Sequence, residues 1–264
     1  MPYVEIPVAG GSAEAYLALP DDRPEAAGRP ADQVPGVVLF SDAIGLRPRI
    51  AQMADRIASW GYVVLAPNLF HQAGRAADIG PTEDLREPGA RDRFGPAMMA
   101  LIRGLSTPDS LSDTGDYLAA LRRQNTVSDG PIGAVGYCLG ARLATRAAGE
   151  YARDVTAVGG FHGGGLVTPA GDSPHLWIER SEAAYVYGHA DQDRSMGPEA
   201  IATLGAALER AGRPATNTVY RGALHGYTMA DTSVFDEDAC ERHFAELRSL
   251  FDRTLTSGEW SRPS

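Results

Sequence analysis

Ile132-Gly133-Ala134-Val135-Gly136-Tyr137-Cys138-Leu139-Gly140-Ala141-Arg142 is the stretch on which the reading of this chain turns. The run Ile132 to Val135 is apolar and partly β-branched, as in a buried strand. Ala141 to Ala148 carries helical spacing. Between them lies Gly-x-Cys-x-Gly, a passage too short for an ordinary connection. Glycines on either side of the central residue relieve the clashes of a sharp strand-to-helix elbow, which lifts one reactive atom above the sheet edge. Here that atom is the Cys138 sulfur, and the following helix directs its N-terminal dipole at it, favouring developing negative charge. Cys240, in DEDACERH on the expected last helix, has no such turn and reads as a packing or surface residue.

Outward from the elbow, short β-type runs alternate with helical patterns, which predicts an α/β fold with a mostly parallel central sheet flanked by helices on both faces. Tyr3 to Pro20 reads as two strands around Gly10-Gly11, and a Pro/Asp/Gly-rich loop, Asp21 to Pro35, leads to strand Val37 to Phe40. Helix Arg49 to Trp60 has Ile50, Met53, Ala54 and Ile57 on one stripe, and strand Tyr62 to Ala66 follows Gly61. From Asn68 to Pro96 the chain is polar, without sustained period, and is expected to be a lid or binding loop. A helix is expected from Ser110 to Gln124. Strands follow at Val155 to Gly159, Ala184 to Tyr187 and Thr216 to Tyr220, with helices at Pro198 to Ala211 and Asp236 to Leu255. This continuous alternation predicts one domain over 1–264, with 1–35 as N-terminal strands and loop and 257–264 as a tail.

The 264 residues are 44% hydrophobic and 22% charged, ordinary for a globular chain. A net charge of −10 argues against a nucleic-acid or anionic-membrane partner. Met1 to Gly11 shows neither the cationic start nor the apolar run of a secretory signal, and no stretch approaches the roughly 20 apolar residues of a membrane span. A cytoplasmic location is therefore expected. Two cysteines, far apart and without Cys-x-x-Cys, point away from a structural disulfide, thioredoxin-like chemistry and common zinc knuckles.

The elbow resembles the nucleophile turn of α/β-hydrolases, whose chemistry-bearing residues follow the chain order nucleophile, acid, histidine. After strand Ala184 to Tyr187 comes Gly188-His189-Ala190-Asp191-Gln192-Asp193-Arg194-Ser195-Met196. Two aspartates compete for the acid. Asp193 is favoured because apolar Met196, three residues on, can anchor its loop, where Asp191 would have Arg194. After strand Thr216 to Tyr220, His225 sits in a Gly-flanked loop and is the expected general base. His162, His175 and His189 lack that position in the order. For the oxyanion, the backbone N–H of Leu139 is one donor, and the N–H of Ala43, in Ser41-Asp42-Ala43-Ile44-Gly45, is the second.

With these residues in place the chain resembles the dienelactone hydrolase (carboxymethylenebutenolidase) family, most specifically in GYCLG at 136–140, GYVVLAPNLF at 61–70, DQDRSM at 191–196 and LHGYTM at 224–229. The resemblance also aligns the acid with Asp193. It implies hydrolysis of an enol-lactone or small ester through a thioester on cysteine, without cofactor or metal. It further implies a glutamate beside the oxyanion loop that activates the thiol; here Asp42, one methylene shorter, is the candidate. A family arginine that binds the substrate carboxylate falls four residues after the histidine, where this chain has Met229. Arg47, Arg86, Arg91 and Arg93 are the cations that could replace it. Tyr137, His162 and Tyr227 are further candidates for substrate contact. The expected partner is a small lactone or ester, acting on a monomer or homodimer. The competing readings are a general esterase or thioesterase, and a lactone-binding protein on a hydrolase scaffold.

Overall fold

The computed structural model describes residues 2–20 and 33–256. Most of the loop expected at Asp21 to Pro35, and the 257–264 tail, lie outside the described residues. Strands β1 (Tyr3–Val8), β2 (Gly11–Ala18), β3 (Gly36–Phe40), β4 (Val63–Pro67), β5 (Ile132–Tyr137), β6 (Val155–Phe161), β7 (Ala184–Ala190) and β8 (Ala215–Tyr220) form one sheet in the order β1-β2-β4-β3-β5-β6-β7-β8. β1 and β2 are antiparallel additions at one edge, and the six strands from β4 to β8 run parallel. The expected α/β-hydrolase fold is thus present.

β3 to β7 are buried along their whole length, as parallel strands covered on both faces must be. Side chains alternate between faces, so Val37 and Leu39 pack with α1 (Pro48–Ala58) and α7 (Glu237–Leu255). Val38 and Phe40 pack instead with α4 (Thr107–Arg122), α5 (Leu139–Glu150) and α6 (Pro198–Arg210). The stripe Ile50, Met53, Ala54 and Ile57 is buried as its spacing predicts.

The polar stretch 68–96 departs from expectation. It contains a short helix, α2 (Ala76–Ile79), and the first half of α3 (Ala90–Gly104). Gly95, Pro96 and Gly104 broke the sequence period, and Pro96 lies inside the helix, where it removes one backbone hydrogen bond. Of the 15 residues of α3 only Ala90 is buried, so the helix lies on the body and is not part of its core. A 3₁₀ helix, Pro174–Arg180, was also without a sequence signal.

The strand order places a topological switch at β3. The chain passes from β3 to β4 on one side and later returns to β5 on the other. At such a switch the loops leaving neighbouring strands diverge and open a crevice. Those loops are 41–47 after β3 and the Cys138 elbow after β5. Among the described residues no helix is long and apolar enough to cross a membrane.

Candidate active site

Cys138 occupies φ 53°, ψ −111°, a conformation that costs a non-glycine residue energy. The surrounding contacts hold it there. A Cβ on Gly136 would sit 2.1 Å from the Gly140 carbonyl oxygen, and one on Gly140 would sit 2.2 Å from that of Phe40, so neither glycine can be anything larger. The Cys138 N–H donates to the Phe161 carbonyl at 3.0 Å, tying the elbow to β6. Among the described residues, the other two non-glycine residues with positive φ are His162 (38°) and Gln192 (52°), just beyond β6 and β7. The strain is therefore gathered at three adjacent strand ends.

His225 bridges the ends. Its Nε2 lies 3.0 Å from Cys138 Sγ, and its Nδ1 lies 2.5 Å from Asp193 Oδ2. Asp193 is in turn held by Ser195, whose N–H (2.8 Å) and Oγ–H (2.6 Å) both donate to Oδ1. Met196 is buried, as its anchoring role requires. Asp191 faces another way, and its carboxylate accepts the Gly222 N–H at 2.9 Å, fastening the acid loop to the histidine loop. Burial works against charge on both members of the pair. For Asp193 the bonds from His225 and Ser195 outweigh it and draw the carboxyl down to about 2. For His225 burial is likewise outweighed, by Asp193 and then Cys138, and the imidazole is pushed up to about 10. His225 is thus charged through neutral pH, facing sulfur.

Leu139 is the first residue of α5 and Ala43 lies in the loop after β3; among the described residues neither N–H has a hydrogen-bond partner. β3 pairs with β5 at Phe40 and Gly136, which sets these two segments side by side.

Several candidates are placed elsewhere. Asp42 does not reach the thiol. Its Oδ1 and Oδ2 accept from Arg47 Nη1 at 2.6 Å and Nη2 at 3.0 Å, and its Oδ1 also accepts the Ile44 N–H at 3.2 Å. Arg47 is unsuited to a substrate carboxylate for the same reason. Buried, it spends its fork on Asp42, on Asp231 (2.6 Å from Nε) and on the Gly45 carbonyl, with Nη2 against Met229 sulfur at 3.3 Å. Burial disfavours the guanidinium charge, and the two aspartates more than restore it. Arg47 thereby clamps the 41–45 loop to the loop that follows His225. Tyr137 is fully buried in the core under α7, with its hydroxyl 3.2 Å from His243 Nε2. Tyr227 is equally buried and donates to the Gly188 carbonyl at 3.1 Å. His162 lies behind the site with Nε2 2.8 Å from Thr228 Oγ1, and burial holds its pKa well below the ordinary value. Its ring stands edge-on to His225 at 5.5 Å and packs against that imidazole.

Arg91 is different. From the first turn of α3 its Nη1 reaches the His225 carbonyl at 3.4 Å, and no carboxylate pairs with it among the described residues. Arg86 and Arg93 are bound to Asp84 and Glu83 on the surface. One feature was not legible in advance: Gly164, where a Cβ would lie 2.6 Å from Ser195 Oγ and 3.5 Å from His225 Cε1.

The model of the dienelactone hydrolase family matches residues 15–255. The chain belongs to this family. A carboxymethylenebutenolidase of Rhodococcus opacus is 27% identical over 84% of this chain and 82% of that protein. A putative carboxymethylenebutenolidase of Synechocystis sp. is 22% identical over 84% and 87%. Among solved structures, a putative dienelactone hydrolase from Klebsiella pneumoniae superposes with TM-score 0.77 at 19% identity, covering 95% of this chain and 97% of that one. An esterase from Thermogutta terrifontis superposes with TM-score 0.67 at 15% identity, covering 97% and 94%; these two likenesses speak to the fold alone. This dienelactone hydrolase family member is a hydrolase acting on esters or lactones.

If Asp193 is what holds the proton on His225, Asp193→Asn lowers the His225 pKa from about 10 toward the ordinary 6.5 or below. An NMR titration of the His225 ring checks this; an unchanged midpoint contradicts it. The same shift makes stability depend on pH. With a folded pKa above the unfolded one, His225 stabilises the native state fully below about pH 6.5, and this is lost as pH rises toward 10.

Proposed function

We propose that Cys138, His225 and Asp193 form a catalytic triad that hydrolyses a lactone or small carboxylic ester through a thioester. The observation that carries this reading is the double contact of His225, 3.0 Å from sulfur and 2.5 Å from the acid. The thiol proton already rests on Nε2, as the charged state of His225 requires, and Sγ attacks the substrate carbonyl carbon as the thiolate. The oxyanion so formed accepts hydrogen bonds from the N–H groups of Leu139 and Ala43, which are already oriented and need not reorganise. When the tetrahedral centre collapses, the carbon–oxygen ester bond breaks and the leaving alkoxide takes the proton from His225. In a lactone this alkoxide stays tethered to the thioester. A water then gives its proton to His225 and attacks the thioester carbon, and the sulfur departs as acid product leaves, with that proton kept on His225. Asp193 fixes the imidazole tautomer and stabilises its charged form throughout.

With Asp42 engaged by Arg47, proton removal from the thiol falls to His225 alone, a departure from the glutamate-assisted pattern that the family resemblance implies. The unpaired Arg91 beside the histidine loop is the residue for a substrate carboxylate, in place of the arginine absent at Met229.

Cys138→Ala is expected to abolish hydrolysis of p-nitrophenyl acetate and of a dienelactone while its circular dichroism and melting temperature match the parent; retained turnover would sink the assignment. Arg91→Met should raise KM for a carboxylate-bearing dienelactone about tenfold or more, as for a lost charged hydrogen bond, and leave that for the uncharged acetate ester within twofold. Equal effects on both substrates remove Arg91 from this role.

A further inference from the structure

A cavity of about 340 Å³, within the range of small-molecule pockets, lies apart from Cys138. Its floor is the segment after β4, with Leu69, Phe70 and Ala73, and its roof is the second half of α3, with Ala100, Leu101 and Gly104. The lining is mainly apolar. The polar exceptions are Gln72, Asp109 and the pair His71 and Asp113, whose Nε2 and Oδ2 lie 2.9 Å apart, both nearly buried. That pair fastens the floor to α4. Tyr117, whose buried hydroxyl has no partner among the described residues, lines a smaller void that shares Leu69, Leu105 and Asp113 with the cavity.

Helix α3 joins this cavity to the candidate active site. Its first turn brings Arg91 to the His225 carbonyl, and its Phe94 and Met98 pack against Ile44, next to the oxyanion residue Ala43. Further along, Leu101 and, just past the helix end, Leu105 line the cavity, and both pack against the same apolar cluster that Cys138 packs against. A helix that keeps one residue in 15 buried, with Met98, Leu101 and Ile102 half-covered, gains little from the body it lies on. Apolar material in the space beneath would complete its packing.

We infer that the cavity under α3 receives an apolar arm of the ester or lactone cleaved at Cys138. The inference rests on the hydrolase reading above and narrows it. The substrate class is an ester or lactone whose carboxylate, where present, meets Arg91 and whose hydrocarbon arm lies between α3 and the 69–73 segment. A second carboxylate at the far end of that arm is disfavoured, because Asp109 and Asp113 line the same cavity.

The test compares kcat/KM for acetyl, butanoyl, hexanoyl and octanoyl p-nitrophenyl esters, with a matched series of alkyl acetates to learn on which side of the scissile bond the arm lies. In one series kcat/KM should rise about fourfold per methylene until the cavity is filled. Leu101→Trp or Ala100→Phe, which occupy the cavity, should flatten that rise. Met99→Gln, on the exposed side of the same helix, should retain it. A wild-type profile flat in both series, or one whose slope survives both filling variants, overturns the inference. Turnover of the acetyl ester reports the Cys138 chemistry, and only the slope reports the cavity. If no ester is cleaved, calorimetric binding of octan-2-one decides the matter: binding weakened by Leu101→Trp supports the cavity site, and absent or unchanged binding overturns it.

Discussion

The candidate site hangs on a backbone contact that has no room for a side chain. Gly136 and Gly140 approach until a methyl on either would overlap a carbonyl, and the chain between them must turn with Cys138 at positive φ. The turn is sustained by the sheet around it. β5 is held between β3 and β6 along its length, and the elbow N–H is taken by Phe161. The helix that starts at Leu139 then directs the unpartnered N–H of that residue and the positive end of its dipole to the elbow. Strain of this kind, of order 1–3 kcal/mol per residue, persists only where surrounding structure over-determines it.

Holding one atom in place is insufficient, because His225 and Ala43 arrive on loops far away in the chain. Arg47 addresses this by binding Asp42 in the first loop and Asp231 in the last, with Met229 packed on the same guanidinium. A buried ion network of this type is costly to break, on the order of 3–5 kcal/mol when one partner is removed. Its consequence for chemistry is an exchange. Asp42 becomes part of the scaffold, and the thiol is left with His225 as its only acidic or basic hydrogen-bonding neighbour among the described residues.

Much of the fold was legible because it depends on local pattern. Apolar runs announced β3 to β5, the 3.6-residue stripe announced α1, and Met196 distinguished Asp193 from Asp191. What escaped depends on pairing over long distances. Arg47 and Asp231 are 184 residues apart, so no spacing rule links them. Asp42 looked like a thiol partner only while Arg47 was unplaced. Tyr137 and Tyr227 lie within the decisive motifs, and His162 directly follows a buried strand. Yet Tyr137 points into the core beneath α7, and the other two pack behind the base. Helix α3 was hidden by Gly95, Pro96 and Gly104, and a roof over a cavity has little apolar periodicity to betray it.

Whether Cys138 carries the acyl group is measured most directly by intact-protein mass spectrometry after rapid acid quench during turnover of a slow ester, followed by peptide mapping. A nucleophilic Cys138 predicts an adduct of the acyl mass on the peptide containing it, labile to hydroxylamine as a thioester is, and absent from Cys138→Ser or Cys138→Ala protein treated identically. An acyl adduct on another residue, or turnover under conditions that would trap an intermediate with none formed on Cys138, would contradict it.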